Sequence, residues 1–96
     1  MPVVLVHQGP GLTKESYEEI ARKLTDGKGL ESPADWPAEG LLVHTAGDAP
    51  GGFRVVDVWE SEDAIRRFGE TLGPILQEAG VTAEPEMYAA HAFVSA

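Results

Sequence analysis

Ninety-six residues suit one domain (1–96), and a chain of this length buries only roughly 60–65% of its unfolded surface, so its core is modest. Seven basic against sixteen acidic side chains give a formal charge of −9. With the bases scattered, that charge argues against nucleic acid and anionic membranes as partners. The chain has no cysteine, which excludes disulfides, thiolate zinc sites and Cys nucleophiles.

Met1 to Val6 is apolar, but it lacks a basic flank and is too short for a signal h-region. No run reaches membrane-spanning length. The expected location is the cytoplasm. Val3 to His7 is β-branched and reads as the first strand, closed by Gln8-Gly9-Pro10-Gly11. Thr13 caps a helix, with Leu12 and Tyr17 at the staple positions. Tyr17, Ile20, Ala21 and Leu24 share its apolar face. Glu18–Arg22 and Glu19–Lys23 are i,i+4 pairs on the wet side, and Gly27 is the stop.

Gly27 to Gly40 has no periodicity, contains Pro33 and Pro37, and is long for so small a domain. Trp36 within it either seals the core edge or acts as a lid over a pocket. Leu41 to Thr45 is the second strand, and Ala46 to Gly52 reads as a glycine-rich hairpin loop. Phe53 to Glu60 alternates: Phe53, Val55, Asp57 and Trp59 share one face, and Arg54, Val56, Val58 and Glu60 the other. Ser61 caps a second helix whose apolar face is Ala64, Ile65, Phe68 and Leu72. Glu62–Arg66 and Asp63–Arg67 pair on its other side. Gly73-Pro74 is expected to kink or break that helix. Met87 to Val94 is the last strand.

The order β-α-β-β-α-β predicts an α+β, ferredoxin-like fold: a four-stranded antiparallel sheet in the order 4-1-3-2, with two helices on one face. The bare face would carry large apolar side chains, so a homodimer is expected.

Val58-Trp59-Glu60-Ser61-Glu62-Asp63-Ala64, with Phe68 and the Leu72-Gly73-Pro74 break, resembles the antibiotic-biosynthesis-monooxygenase-like families of the dimeric α+β barrel superfamily. Gly40 to His44 and the glycine hairpin add to the likeness. The likeness covers nearly the whole chain in element order, and its short motif marks a fold rather than a reaction. It implies two sheets paired face to face. It also implies a cofactor-free monooxygenase or related enzyme acting on a planar aromatic small molecule. The alternative is a non-catalytic sensor or carrier. Haem degradation is disfavoured, because Phe68 stands where that branch has Trp, about Glu78 where it has a ligating His, and His7 where it has Asn. No cofactor is expected.

For the chemistry, the parallel arrangement expected of the first and third strands brings His7, Trp59 and Tyr88 to one end of the sheet. Gln8 lies beside them and Trp36 above. His7 is then a general base for a phenol or enol. Trp59 stacks on a planar ring, and Tyr88 donates a hydrogen bond. Ordinary packing across a dimer barrel is the competing explanation. His7, His44 and His91 lie on three strands. His7 and His44 are expected more than about 10 Å apart at opposite ends, which is incompatible with three nitrogens within about 2.1 Å of one metal ion. Replacing His7 is therefore expected to disturb the ligand, and replacing His44 is not. Asp57 in mid-strand suggests a hydrogen bond or ion pair across the dimer interface, with Arg54 of a second copy as a candidate; a catalytic carboxylate is the lesser alternative. No phosphate-cradling spacing is present.

Overall fold

The computed structural model describes residues 2–27, 29–30, 35–36, 39–82 and 84–94. Pro33 and Pro37, which mark the long loop in the sequence, lie outside these. The elements are β1 (Val3–His7), α1 (Lys14–Leu24), β2 (Leu41–Ala49), β3 (Gly52–Trp59), α2 (Glu62–Glu78) and β4 (Glu86–Ala89). The strands form one sheet in the order β2-β3-β1-β4, each neighbour antiparallel. This is the ferredoxin-like α+β fold.

Local chemistry explains the ends of the elements. Thr13 and Ser16 form a capping box: the Ser16 N–H donates to Thr13 Oγ1 at 3.1 Å and the Thr13 N–H donates to Ser16 Oγ at 2.8 Å. At the other end of α1 the Gly27 N–H donates to the Arg22 carbonyl at 2.7 Å. The intervening Asp26 takes the left-handed conformation, φ 53°, so orphan carbonyls are satisfied. Ser61 caps α2 by accepting from the Ala64 N–H at 3.1 Å.

Three elements differ from the sequence reading. The hairpin loop is only Pro50-Gly51, since Ala46 to Ala49 pair with Val55 to Gly52. Gln8 clamps this hairpin to the end of β1. Its Nε2 donates to the Pro50 and Gly52 carbonyls at 3.1 and 3.0 Å. Its Oε1 accepts from Arg54 Nε and Nη2 at 3.2 and 3.1 Å. Second, α2 runs through Gly73 and Pro74 as one helix. Leu72, Ile75 and Leu76 pack against the buried cluster of Leu12, Ile20 and Val81, and this packing offsets the roughly 3 kcal/mol that an interior proline costs. Third, β4 stops at Ala89. It is an edge strand paired with β1, and its last tie is the Ala90 N–H donating to the Pro2 carbonyl at 2.9 Å. Pro2 has no N–H to return, so the ladder ends there.

The strand directions also correct an expectation. β2 and β3 are a hairpin and therefore antiparallel, and β1 pairs with β3 antiparallel as well. The C-terminal end of β1 lies beside the hairpin, not beside the C-terminal end of β3. Both helices cover the face bearing Leu5, Val55 and Trp59. A second buried cluster, Trp59, Ala64 and Phe68, sits at the end away from the hairpin.

Gly11 has φ +86°, and a Cβ there would stand 2.1 Å from the Gly80 carbonyl oxygen. Gly27 has φ +93° with nothing within 4 Å of a Cβ. Gly11→Ala is expected to destabilise the fold by about 2–4 kcal/mol, because strain and a backbone clash add. Gly27→Ala should cost only about 1–2 kcal/mol. Urea midpoints measure both, and equal shifts would contradict the close packing of the two loops.

Candidate functional site

Two histidines, a tyrosine and an aspartate meet between the sheet and the helices, on the wall of a partly open cavity of about 60 Å³. Each is placed by its element. Tyr17 is on the apolar face of α1, where helical periodicity puts it above the sheet. Asp57 is on the helix-facing side of β3, and it is 4% exposed. His44 is directly opposite it on β2, because counting back from the Pro50-Gly51 turn pairs His44 with Asp57. A bulge between Leu41 and Val43 keeps both Leu41 and His44 pointing toward the helices.

The side chains form a chain of short hydrogen bonds. Asp57 Oδ1 lies 2.7 Å from His44 Nδ1, and His44 Nε2 lies 2.6 Å from the Tyr17 hydroxyl. The partners dictate the directions. A carboxylate only accepts, so His44 donates from Nδ1; Nε2 is then left to accept from the Tyr17 O–H. The ring of Tyr17 is stacked parallel to that of His44, 12° between planes and 5.9 Å between centroids. Burial, and then the charge of Asp57, push the Tyr17 phenol above its ordinary pKa of 10.0.

The walls around this chain are apolar: Leu5, Val55, Ile20, Leu24 and Leu72 line the cavity. Among the described residues that line it, Asp57 is the one carboxylate, and none is a lysine or arginine. Trp36 closes the other side. Its ring meets His44 edge-on at 4.8 Å and packs on Phe68 at 5.2 Å. It thus both seals the core edge and lines the cavity.

The residues singled out by sequence separate into four places. His7 and Trp36 line the cavity. Trp59 is fully buried behind Trp36, at 6.2 Å between ring centroids, and does not line it. His7 is opposite Val55, four residues before Trp59 on β3, about 13 Å away at roughly 3.3 Å per residue. Tyr88 pairs with Val4, which puts it on the opposite, helix-free face, where it is 51% exposed. Gln8 spends its amide on the hairpin. The expected meeting of His7, Trp59 and Tyr88 therefore does not occur. His44, assigned by sequence to the far end, shares the cavity with His7. Asp57 pairs with His44 of its own chain rather than with an arginine across an interface, and Arg54 bonds Gln8 on the other side of the strand.

Among the described residues no group of three or more His, Asp or Glu side chains is arranged to hold a metal ion. No helix among them is long and apolar enough to cross a membrane. No protein-family model and no curated protein matches this chain.

The raised pKa of Tyr17 has a consequence for stability. The folded state favours the neutral phenol, so this stabilisation is complete below about pH 10 and is lost as pH rises through the higher folded value. Tyr17→Phe removes that titration. Urea unfolding from pH 8 to 11 is expected to show the wild type losing stability relative to Tyr17→Phe above about pH 10. Parallel curves for the two proteins would mean that the phenol is no harder to ionise in the fold.

Proposed function

We propose that this chain is a member of the antibiotic-biosynthesis-monooxygenase-like families, and that its cavity binds a small phenol or enol whose hydroxyl proton is taken by His44. The observation that carries this reading is the Asp57–His44 pair, 2.7 Å between Oδ1 and Nδ1, facing an apolar cavity. Asp57 fixes the tautomer, so Nε2 is the basic nitrogen that faces the ligand. It also stabilises the imidazolium formed when the proton arrives. A positioned base of this kind contributes about 10²–10⁴-fold in rate. His7, at the hairpin end of the same cavity, is a second polar group that orients the ligand. The family likeness adds molecular oxygen as co-substrate and no bound cofactor.

Oxygen uptake with a small phenol such as p-cresol tests this. The burial and the Asp57 charge that hold Tyr17 neutral act equally on a phenol bound at the same nitrogen, so the resting ligand stays a neutral phenol hydrogen-bonded to Nε2 and gives up its proton only during turnover. His44→Ala should lower uptake by about 10²–10⁴-fold, and Asp57→Asn by less. Binding of the phenol without oxygen uptake would favour the sensor-or-carrier alternative. Equal uptake by the wild type and both variants would remove His44 as the base.

We further propose that two copies pair through the helix-free face. The support is its surface: Val4, Val6, Val56 and Val58 are only half-buried, Val43 and Tyr88 are exposed, and all belong to that face. Contiguous apolar surface of this kind marks an interface, and obligate homodimers commonly bury above about 2,000 Å². Light scattering coupled to gel filtration should give a mass near twice 10.2 kDa. Val58→Glu should shift the protein to monomer. A wild-type monomer at micromolar concentration rules the pairing out.

A further inference from the structure

Within the cavity, the acceptor nitrogen needed by the proposed reaction is already occupied. The Tyr17 hydroxyl sits 2.6 Å from His44 Nε2, which is the position a phenolic ligand would take. Tyr17 is itself a phenol, its ring laid parallel to the imidazole and tilted against Phe53 at 5.3 Å. The remaining space, about 60 Å³, falls short of the roughly 150 Å³ apolar cavity that takes up a benzene ring. A ring therefore gains access only when a side chain leaves.

Tyr17 has somewhere to go. It borders a second, open depression of about 410 Å³ at the hairpin end, formed with Lys14, Glu18, Gly47, Asp48 and Phe53. Gly47 presents no side chain there, and nothing lies within 4 Å of where its Cβ would stand. Tyr17 is thus the wall between the cavity and the groove. A tyrosine on a helix has two accessible χ1 wells, and a step between them is the smallest motion that clears the ring from the imidazole.

We propose that Tyr17 is an internal stand-in for the ligand, and that the ligand is a neutral, single-ring phenol that displaces it toward the hairpin groove. This rests on the reading of His44 as the ligand's base. Neutrality follows from the lining: among the described residues, Asp57 is a buried carboxylate with no lysine or arginine facing the same space, so a ligand carboxylate would bring a second negative charge without a counter-ion. No bond is made or broken in the displacement beyond one hydrogen bond exchanged for another. His44 stays partnered until a phenol arrives.

The test is titration of the full chain with p-cresol, followed by the indole N–H signal of Trp36, which lines the cavity. Displacement predicts a gain in affinity on weakening the competitor. Tyr17→Phe keeps the ring volume but loses the hydrogen bond, and should bind p-cresol about two- to tenfold more tightly than the wild type. Tyr17→Ala should bind more tightly still. If Tyr17→Phe binds equally or more weakly, Tyr17 is a contact of the ligand rather than its rival, and the displacement is overturned while His44 remains the base. 4-Hydroxybenzoate should bind at least about tenfold more weakly than p-cresol. Equal or tighter binding overturns the neutral class. Failure of p-cresol to bind either the wild type or Tyr17→Phe overturns both the displacement and the reading it rests on.

Discussion

A carboxylate 4% exposed on the inner face of a central strand is the constraint around which the rest of the molecule is arranged. Asp57 lies between β2 and β1 and under both helices. Left unpaired there, it would destabilise the fold by several kcal/mol. The hairpin register resolves this by placing His44 directly opposite. His44 in turn has a second nitrogen that must be partnered, and Tyr17 from α1 supplies the O–H. One buried charge thereby ties two strands to a helix. The polar chain is short and complete, so it specifies how α1 sits on the sheet as well as satisfying itself.

Around that chain the packing divides into two apolar clusters with the cavity between them. Leu12, Ile20 and Val81 form one, and Trp59, Ala64 and Phe68 the other. Valine or leucine at position 57 would let the two merge into a continuous core, which is often neutral or stabilising relative to a buried ionic group. Keeping a base-like pair inside apolar walls instead is the arrangement expected where chemistry is done. Trp36 fits this division. It bridges from the Phe68 side to the edge of His44, so its ring covers the polar chain and the second cluster together.

The fold was legible because local signals agreed with one another. Val3 to His7, the Thr13 and Ser61 caps, and the alternation of β3 all appear where the sequence puts them. The site was less legible, and for identifiable reasons. Reading β1 and β3 as parallel sent His7 and Trp59 to the same end, although a crossover followed by a hairpin requires them to be antiparallel. Overestimating the hairpin loop hid the pairing of His44 with Asp57; the Pro50-Gly51 turn alone would have given it. Asp57 stood out in the sequence as an oddity, but its partner was sought in another chain. Tyr17 passed as a staple residue because its helical position is what any core tyrosine would occupy. Only the three-dimensional meeting of α1 with β2 distinguishes it. Trp36 carried no periodic signal, and its place depends on tertiary contacts alone.

β3 carries both of the surfaces on which the proposed function depends. Asp57 points inward to His44, while its neighbours Val56 and Val58 point outward on the helix-free face. Because side chains alternate with a period of two, a slip of one residue would expose Asp57's partner-seeking carboxylate and bury two valines against the helices. The Gln8 clamp on Pro50, Gly52 and Arg54 opposes such a slip at the hairpin. The bulge after Leu41 absorbs the remaining offset at the other end. In the proposed dimer, burial of Val56 and Val58 would hold β3 from outside while His44 holds it from within. Pairing of two copies and the orientation of the base would then be two consequences of one strand register.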